Sequence, residues 1–382
     1  MSTAPLDSIV QLASRLVATP SCGGIDGPAP VLGIAHAWLH QNDLKPRLLH
    51  DGADKPVAVL VEIAGDAPGP LLCLDACIDT APVGDVTQWQ EPPFSGVVRD
   101  GRLLGRGAAD SKAGVAILCH VARHLAATRL PRGAVHVLFD ADEHTGRFGG
   151  VRAYLDAVER LPDAVSLGYP GNDCVVAGSR GFLRARLHFP GKAAHSGEAE
   201  RTGVNALTKA AQFAVTVAAA SFPGVPDAAF PFGPAATVTR IEGGEGFSVV
   251  PDHAVCHIDI RLTRTFDGEQ AKAWLKAIVR SVDDRARIET IDHWPAYLVA
   301  ADHALVQSLS RAAGRAFARS VPADVCGPSN IGNLLAARGV PTVCAPGVSF
   351  GNIHAADEWT DIASMAPVYS MYCEAALDFL SR

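Results

Sequence analysis

The sequence predicts an α/β protein with a mixed, mostly parallel sheet flanked by helices, and a ferredoxin-like α+β unit inserted into it. Three observations carry this expectation. Strand-like runs that are apolar throughout alternate with helical stretches, the pattern of strands covered on both faces. The middle of the chain changes to strands with strict apolar–polar alternation, in the order β-α-β-β-α-β. The length of 382 residues exceeds what one ordinary core organises. The expected boundaries are 1–180 and 295–382 for the larger unit and 181–294 for the insert.

The elements follow in order. "MSTAPLDSIVQLASRLV" reads as an amphipathic helix; it lacks the basic start and long apolar stretch of a signal peptide. "PVAVLVEI" (56–63) and "GPLLCLDACID" (69–79) read as strands, the second ending in acids. "DSKAGVAILCHVARHLAAT" (110–128) has helical apolar spacing, and "AVHVLFDADE" (134–143) is again a strand. "AVSLGYP" and "CVVAGSRG" follow around 164–181. In the insert, strands are expected at 182–191, 235–244, 253–263 and 285–294, with helices at 203–220 and 267–282. "FPGVPDAAFPFGPAA" reads as a surface loop. "LVQSLSRAAGRAFA" is helical, "VPTVCAPG" (340–347) is a strand, and "IASMAPVYSMYCEAALDFL" closes as a helix.

Composition narrows the function classes. A hydrophobic share of 48% and a charged share of 19% suit a soluble globular protein. A net charge of -7 without a basic run argues against nucleic acid or an anionic membrane as partner. No window approaches a membrane span. Nine scattered cysteines, none at zinc-ribbon spacing, fit free thiols in a reducing cytoplasm. Cys73, Cys119, Cys256 and Cys344 lie in apolar runs, as core thiols do.

Chemistry is expected where parallel strands end, because ligands bind beyond those ends. Four strand ends or helix starts carry unusual groups: Asp75, Cys77 and Asp79; Asp110; Asp140, Asp142, Glu143 and His144; and His354, Asp357 and Glu358. Each has a plainer explanation taken alone: Asp110 as a helix cap, His354 as a loop residue, Glu143 as a turn acid. Together they argue for a cation, since carboxylates crowded at one sheet edge repel unless a cation or proton compensates.

These blocks resemble the metal-dependent acetylornithine deacetylase, succinyl-diaminopimelate desuccinylase and carboxypeptidase family. "DTAP" (79–82), "GRGAADSKAG" (105–114), "DEHTG" (142–146), "GKAAHSGEAERTGVNA" (191–206), "VVPDHAVCHIDIR" (249–261) and "IHAADEW" (353–359) match its motifs in order. The resemblance implies a zinc-peptidase-like catalytic unit with an inserted lid through which two copies dimerise. It implies two zinc ions bridged by the residue at Asp110, one of them also bound at the positions of His144 and His354. The other ion's positions are occupied here by Cys77 and Tyr169.

The metal shell therefore departs from the family. Asp110, His144 and His354 still make two imidazoles and a carboxylate, a set suited to zinc, manganese or iron with open positions for water. Cys77 can bind only as a thiolate. Tyr169 is a poor ligand because its hydroxyl keeps its proton near neutral pH. One divalent ion per chain is expected, not two. The resemblance places Glu143 as general base beside a metal-activated water. It gives Asp79 the part of orienting a ligand and His195 that of stabilising the oxyanion across the dimer interface. Asn205 and Arg261 match substrate-contacting lid positions, Arg261 suiting a carboxylate. Tyr169 joins them as a candidate substrate contact. His195 has a plainer reading as a strand-end histidine bonded to backbone. Ser248 stands near where the family commonly has Asn, so carboxylate recognition is expected to differ. The expected function is hydrolysis of the amide of a small N-acyl amino acid. Two alternatives stay open: hydrolytic deamination of a small acid, aromatic or not, and a binding protein that has lost turnover.

Overall fold

In the computed structural model the described residues, 5–224 and 226–382, form two compact units. Residues 1–4 of the expected first helix and residue 225 of the expected loop lie outside the described residues. The first unit holds the chain up to Gly178, Leu298–Asp324 and Asn330–Arg382. The second holds Ser179–Tyr297 and also Val325–Ser329, a short return that carries no signal in the sequence.

The first unit is built on a mixed sheet. Its order runs Arg47–His50, Pro56–Ala64, Ala134–Asp140, Leu71–Cys77, Ala164–Leu167, Thr342–Cys344, Val175–Ser179. The central strands from Ala134–Asp140 to Thr342–Cys344 pair in parallel. Antiparallel pairs flank them. Leu71–Cys77 is buried along its whole length, which is why it reads as a continuous apolar run. Helix Leu6–Val17 buries Ile9, Leu12, Ala13, Leu16 and Val17, one stripe at helical spacing. Helix Ala113–Ala127 is buried on nearly every side and packs between Leu6–Val17 and Met365–Leu380. Among the described residues no helix is long and apolar enough to cross a membrane.

Parallel register brings three strand ends to one edge. Cys77 pairs with Asp140, and Asp75 with Leu167. The segments that follow, with Asp79, with Glu143 and His144, and with Tyr169, therefore leave the sheet side by side. A small antiparallel sheet holds a fourth segment near its own hairpin. Phe350–Gly351 and Trp359–Asp361 pair with each other, and the latter with Arg102–Leu104. They bracket the loop that carries His354.

The second unit is a four-stranded antiparallel sheet with two helices. Its order is Ala235–Gly243, His253–Leu262, Gly181–Pro190, Arg287–Trp294. Alternation puts Leu183, Leu187 and Phe189 in the core with Ala254, Cys256, Ile258 and Ile260. Phe213 of helix Ala206–Ala219 and Trp274 of helix Gly268–Val282 complete it. Each fully buried large side chain contributes about 1.5–3 kcal/mol. Asp267 and Gln270 form a reciprocal capping box at the second helix start.

Candidate metal centre

The strand Leu71–Cys77 hands the chain to Asp79, which is almost fully buried. Its carboxylate accepts the backbone N–H of Glu143 at Oδ1 and of His144 at Oδ2, each at 3.1 Å. Asp79 therefore anchors the turn that follows strand Ala134–Asp140. That turn needs a left-handed residue at Asp142 (φ 73°), whose carboxylate accepts the Thr145 hydroxyl. Gly23 of the N-terminal segment lies against the same place. A Cβ there would meet Asp79 Oδ2 at 2.7 Å, so only glycine lets the segment approach this closely.

Asp110 arrives from another direction. Regular helix begins only at Ala113, and the helix has no side-chain cap. Asp110 itself has φ -115° and ψ 93° and precedes a cis peptide to Ser111. It is thus not the helix cap that its position in the sequence allows. Its backbone N–H and those of Gly107 and Ala109 donate to the buried Glu358 carboxylate at 3.0–3.2 Å. Arg106 Nη1 donates to the same carboxylate at 2.6 Å, and Arg106 Nη2 to Ala355 O at 3.1 Å. This pair ties the Asp110 segment to the His354 loop.

The result is a convergence on one oxygen. His354 Nε2 lies 3.0 Å and His144 Nε2 3.4 Å from Asp110 Oδ2. The two rings are 5.4 Å apart at 60°. Ser111 Oγ donates to the other oxygen, Oδ1, at 2.8 Å. Nδ1 of His144 is buried without a hydrogen-bond partner, 3.4 Å from Glu143 Oε2 and 3.6 Å from Asp79 Oδ2.

Charge in this place is unbalanced toward the negative. Burial alone would raise the Asp110 carboxyl, but hydrogen bonds from His144 and His354 hold it below the ordinary carboxylate range. Burial works against charge on His144 too, yet Asp110 and Asp79 push its imidazole up to about 11. Burial pushes Glu143 up to about 7; His144 opposes this, while Asp110 and Asp79 add to it. A cluster of this kind requires a compensating positive charge, supplied by protons or by a cation.

Among the described residues two donor groups can hold one. Ligand atoms of Asp110, His144 and His354 lie within 4.8 Å of one another, as do those of Cys77, Glu143 and His144. The first group fits a divalent ion: two imidazole nitrogens already converge on one carboxylate oxygen, and the donor types suit zinc, manganese or iron. The second group fits less well. Burial first, then Asp110 and Glu143, pushes the Cys77 thiol well above its ordinary range. The Cys77 Sγ–Ser111 Oγ distance is 3.5 Å. Tyr169 keeps its proton, since burial and Glu143 push its hydroxyl up, and it donates to Glu143 Oε1 at 3.1 Å.

The remaining expected site residues lie in the second unit. His195 is exposed and bridges to Val249, and its Nδ1 accepts the N–H of Gly197 at 3.1 Å. Asn205 caps helix Ala206–Ala219, its Oδ1 accepting from Leu207 and Thr208. Arg261 Nε pairs with Asp259 Oδ2 at 2.8 Å, and its Nη1 donates to Ser329 Oγ at 3.2 Å. The sequence reading missed the Arg106–Glu358 pair and Gly23. For the pair, a buried-type motif arginine and the glutamate of the last block were the available signals.

Comparison with known proteins agrees with this architecture. The family model "Peptidase family M20/M25/M40" matches residues 73–378. A succinyl-diaminopimelate desuccinylase of Acidovorax ebreus is 30% identical over 320 residues, 79% of this chain and 78% of that protein. A second desuccinylase, from Shewanella loihica, is 34% identical over 168 residues, 42% of this chain; the match spans less than half of that relative, 44%. An M20 family metallo-carboxypeptidase from Sulfolobus solfataricus has the same fold, with a TM-score of 0.84 at 18% identity over 98% of this chain and 100% of the other. A Bacillus subtilis protein described as a dinuclear metal binding peptidase of the M20 family gives 0.71 at 19% identity, over 98% of each chain.

Proposed function

Since this chain belongs to peptidase family M20/M25/M40 and is a metallohydrolase, we propose that it cleaves the amide bond of a small N-acyl amino acid with a single divalent ion. The observation that carries the reading is the approach of His144 Nε2 and His354 Nε2 to one oxygen of Asp110. Desuccinylases among the relatives favour an acylated amino acid as the substrate class. A divalent ion held by Asp110, His144 and His354 would polarise the scissile carbonyl and ease deprotonation of water.

The chain's own groups then divide the work. Glu143 takes the proton of the attacking water as oxygen bonds to the carbonyl carbon. It returns that proton to the leaving nitrogen as the C–N bond breaks. In the metal-free protein burial already pushes its carboxyl up to about 7. Asp79 fixes the turn that presents Glu143 and His144. The proposal extends to a cytoplasmic homodimer formed through the inserted unit. In it, His195 donates to the developing oxyanion and Arg261 and Asn205 contact the substrate.

The test is a panel of N-acyl amino acids and aminobenzoates assayed with zinc, manganese and iron. Release of an amine from an N-acyl amino acid, lost in His354→Ala together with the bound ion, is the expected result. Turnover of none of the panel at full metal occupancy overturns it.

A further inference from the structure

We infer that the open face of the second unit's sheet selects a substrate with two carboxylates, and that Arg184 is the residue that takes the second. This rests on the hydrolase reading above, in which Arg261 meets the first.

Alternation along Gly181–Pro190 buries Leu183, Ala185, Leu187 and Phe189 against the two helices of this unit and turns Arg184 and Arg186 to the other face. The same rule along His253–Leu262 turns out His257, Asp259 and Arg261. Together with Arg180 these five side chains line a concavity of about 600 Å³, within the range of small-ligand sites. All of them belong to the second unit. The whole chain has a formal net charge of -7, so a face with four arginines and one acid runs against its average.

The one acid is shared. Arg261 Nε lies 2.8 Å from Asp259 Oδ2, and Arg184 Nε donates to Asp259 Oδ1 at 3.3 Å. Two guanidiniums thus flank a carboxylate that can neutralise only one of them. Arg180 donates to the carbonyls of Gly327 and Gly233. Burial, then the Arg261 cation, lower the Arg180 guanidinium from its ordinary range, with Cys326 and Asp259 opposing them. Cations crowded in this way favour an anion between them. The neighbouring acids do not supply it. Glu289 takes Arg186 and His188, and Asp292, opposite Arg184 in the ladder, makes no ion pair with it.

Arg184 is placed to receive such an anion. Among the described residues only its Nε donates a hydrogen bond, so Nη1 and Nη2 at the outer edge of the fork are left for a ligand. Its side chain is 40% exposed, and its guanidinium lies over the Phe182 ring, 4.5 Å from the centre. A fork edge of this kind pairs with a carboxylate through two parallel bonds. A substrate with one carboxylate, seated on Arg261, leaves that edge unused. A second carboxylate on the same molecule fills it.

The experiment compares N-acetylalanine, with one carboxylate, to N-succinylalanine and N-acetylglutamate, with two. In the metal-loaded parent the kcat/KM of at least one dicarboxylate is expected to exceed that of N-acetylalanine about tenfold or more, the range of a hydrogen-bonded charge pair, with the difference carried by KM. Arg184→Gln brings the ratio close to one. Arg287→Gln, which removes the same charge from a residue outside the concavity, keeps it. Calorimetric titration with glutarate and with butyrate gives a reading that needs no turnover: the parent prefers glutarate, and Arg184→Gln loses the preference. A parent that hydrolyses N-acetylalanine as well as either dicarboxylate, or an Arg184→Gln that keeps the parent's ratio, overturns the inference alone. Turnover of none of the three overturns the hydrolase reading, and the glutarate preference then decides whether the face selects a dicarboxylate.

Discussion

The Glu358 carboxylate accepts the Arg106 guanidinium at 2.6 Å, with both side chains about 1% exposed. The same carboxylate gathers three backbone N–H groups from residues 107–110, and the guanidinium reaches the carbonyl of Ala355. Removing one partner of a buried pair strands the other charge. Glu358→Ala is expected to cost about 3–5 kcal/mol of stability. It should also loosen the hold on Asp110 and His354, weakening metal affinity about 10–100-fold as supporting-partner losses do. Urea unfolding and competition with a chelator measure the two effects. An unchanged affinity would show that the pair only stabilises the fold.

Glu143→Gln keeps the shape and removes the base. We expect kcat to fall about 10²–10⁴-fold, the range for loss of a positioned general base. Metal content should stay at one ion per chain, because Glu143 is engaged by Tyr169 rather than by the Asp110 group. Metal analysis beside steady-state kinetics separates this from a ligand role. Loss of the ion in Glu143→Gln would move Glu143 into the metal shell.

Ion uptake should release a proton from His144. In metal-free protein its imidazole is pushed up to about 11 by Asp110 and Asp79, against burial. Coordination requires the neutral ring. Near pH 8, where an ordinary imidazole of pKa 6.5 is already neutral, binding is therefore still expected to expel about one proton. Calorimetric titration of the metal in buffers of differing ionisation enthalpy reads the number directly. The stability contribution has the matching sign: a folded-state pKa raised above 6.5 favours the metal-free fold below that pH, and the gain disappears as pH rises through about 11. A release of zero protons at pH 8 would contradict the charge balance described here.

What the sequence revealed follows physical range. Leu71–Cys77 and Ala134–Asp140 were legible because burial on both faces leaves a run with no polar interruption, and their acidic ends stood out against it. The second unit was legible because strict alternation and amphipathic helices are local patterns. The strands at 98–104 and 350–361 were not, since two or three residues hold no period. Nor was the partnership of Arg106 with Glu358, 252 positions apart. Asp110 was legible as a chemical group but not as a conformation, because Asp before a helix ordinarily caps it. Tyr169 reads in the sequence as a lost ligand and a candidate substrate contact; its 3.1 Å approach to Glu143 is legible only in the structure.

Acid sensitivity in the second unit should trace to Asp283. Its side chain is nearly buried and accepts Lys209 Nζ, the backbone N–H of Arg285 and the Arg285 guanidinium. Burial raises the carboxyl, but these donors outweigh it and lower it from 3.8 to about 2. A depressed acid contributes stability that is fully present above 3.8 and is lost as pH falls through about 2. Asp283→Asn removes the charge without changing the shape. It should be less stable than the parent at pH 7, and the gap should narrow steadily below pH 4 as the parent's unfolded chain gains the proton its folded state resists. Urea midpoints for the two proteins at pH 7, 5, 4 and 3 provide the comparison, with far-ultraviolet circular dichroism confirming a folded start. The parent and the variant falling in parallel over that range would mean that other carboxylates, such as those around His144, govern the acid limb instead.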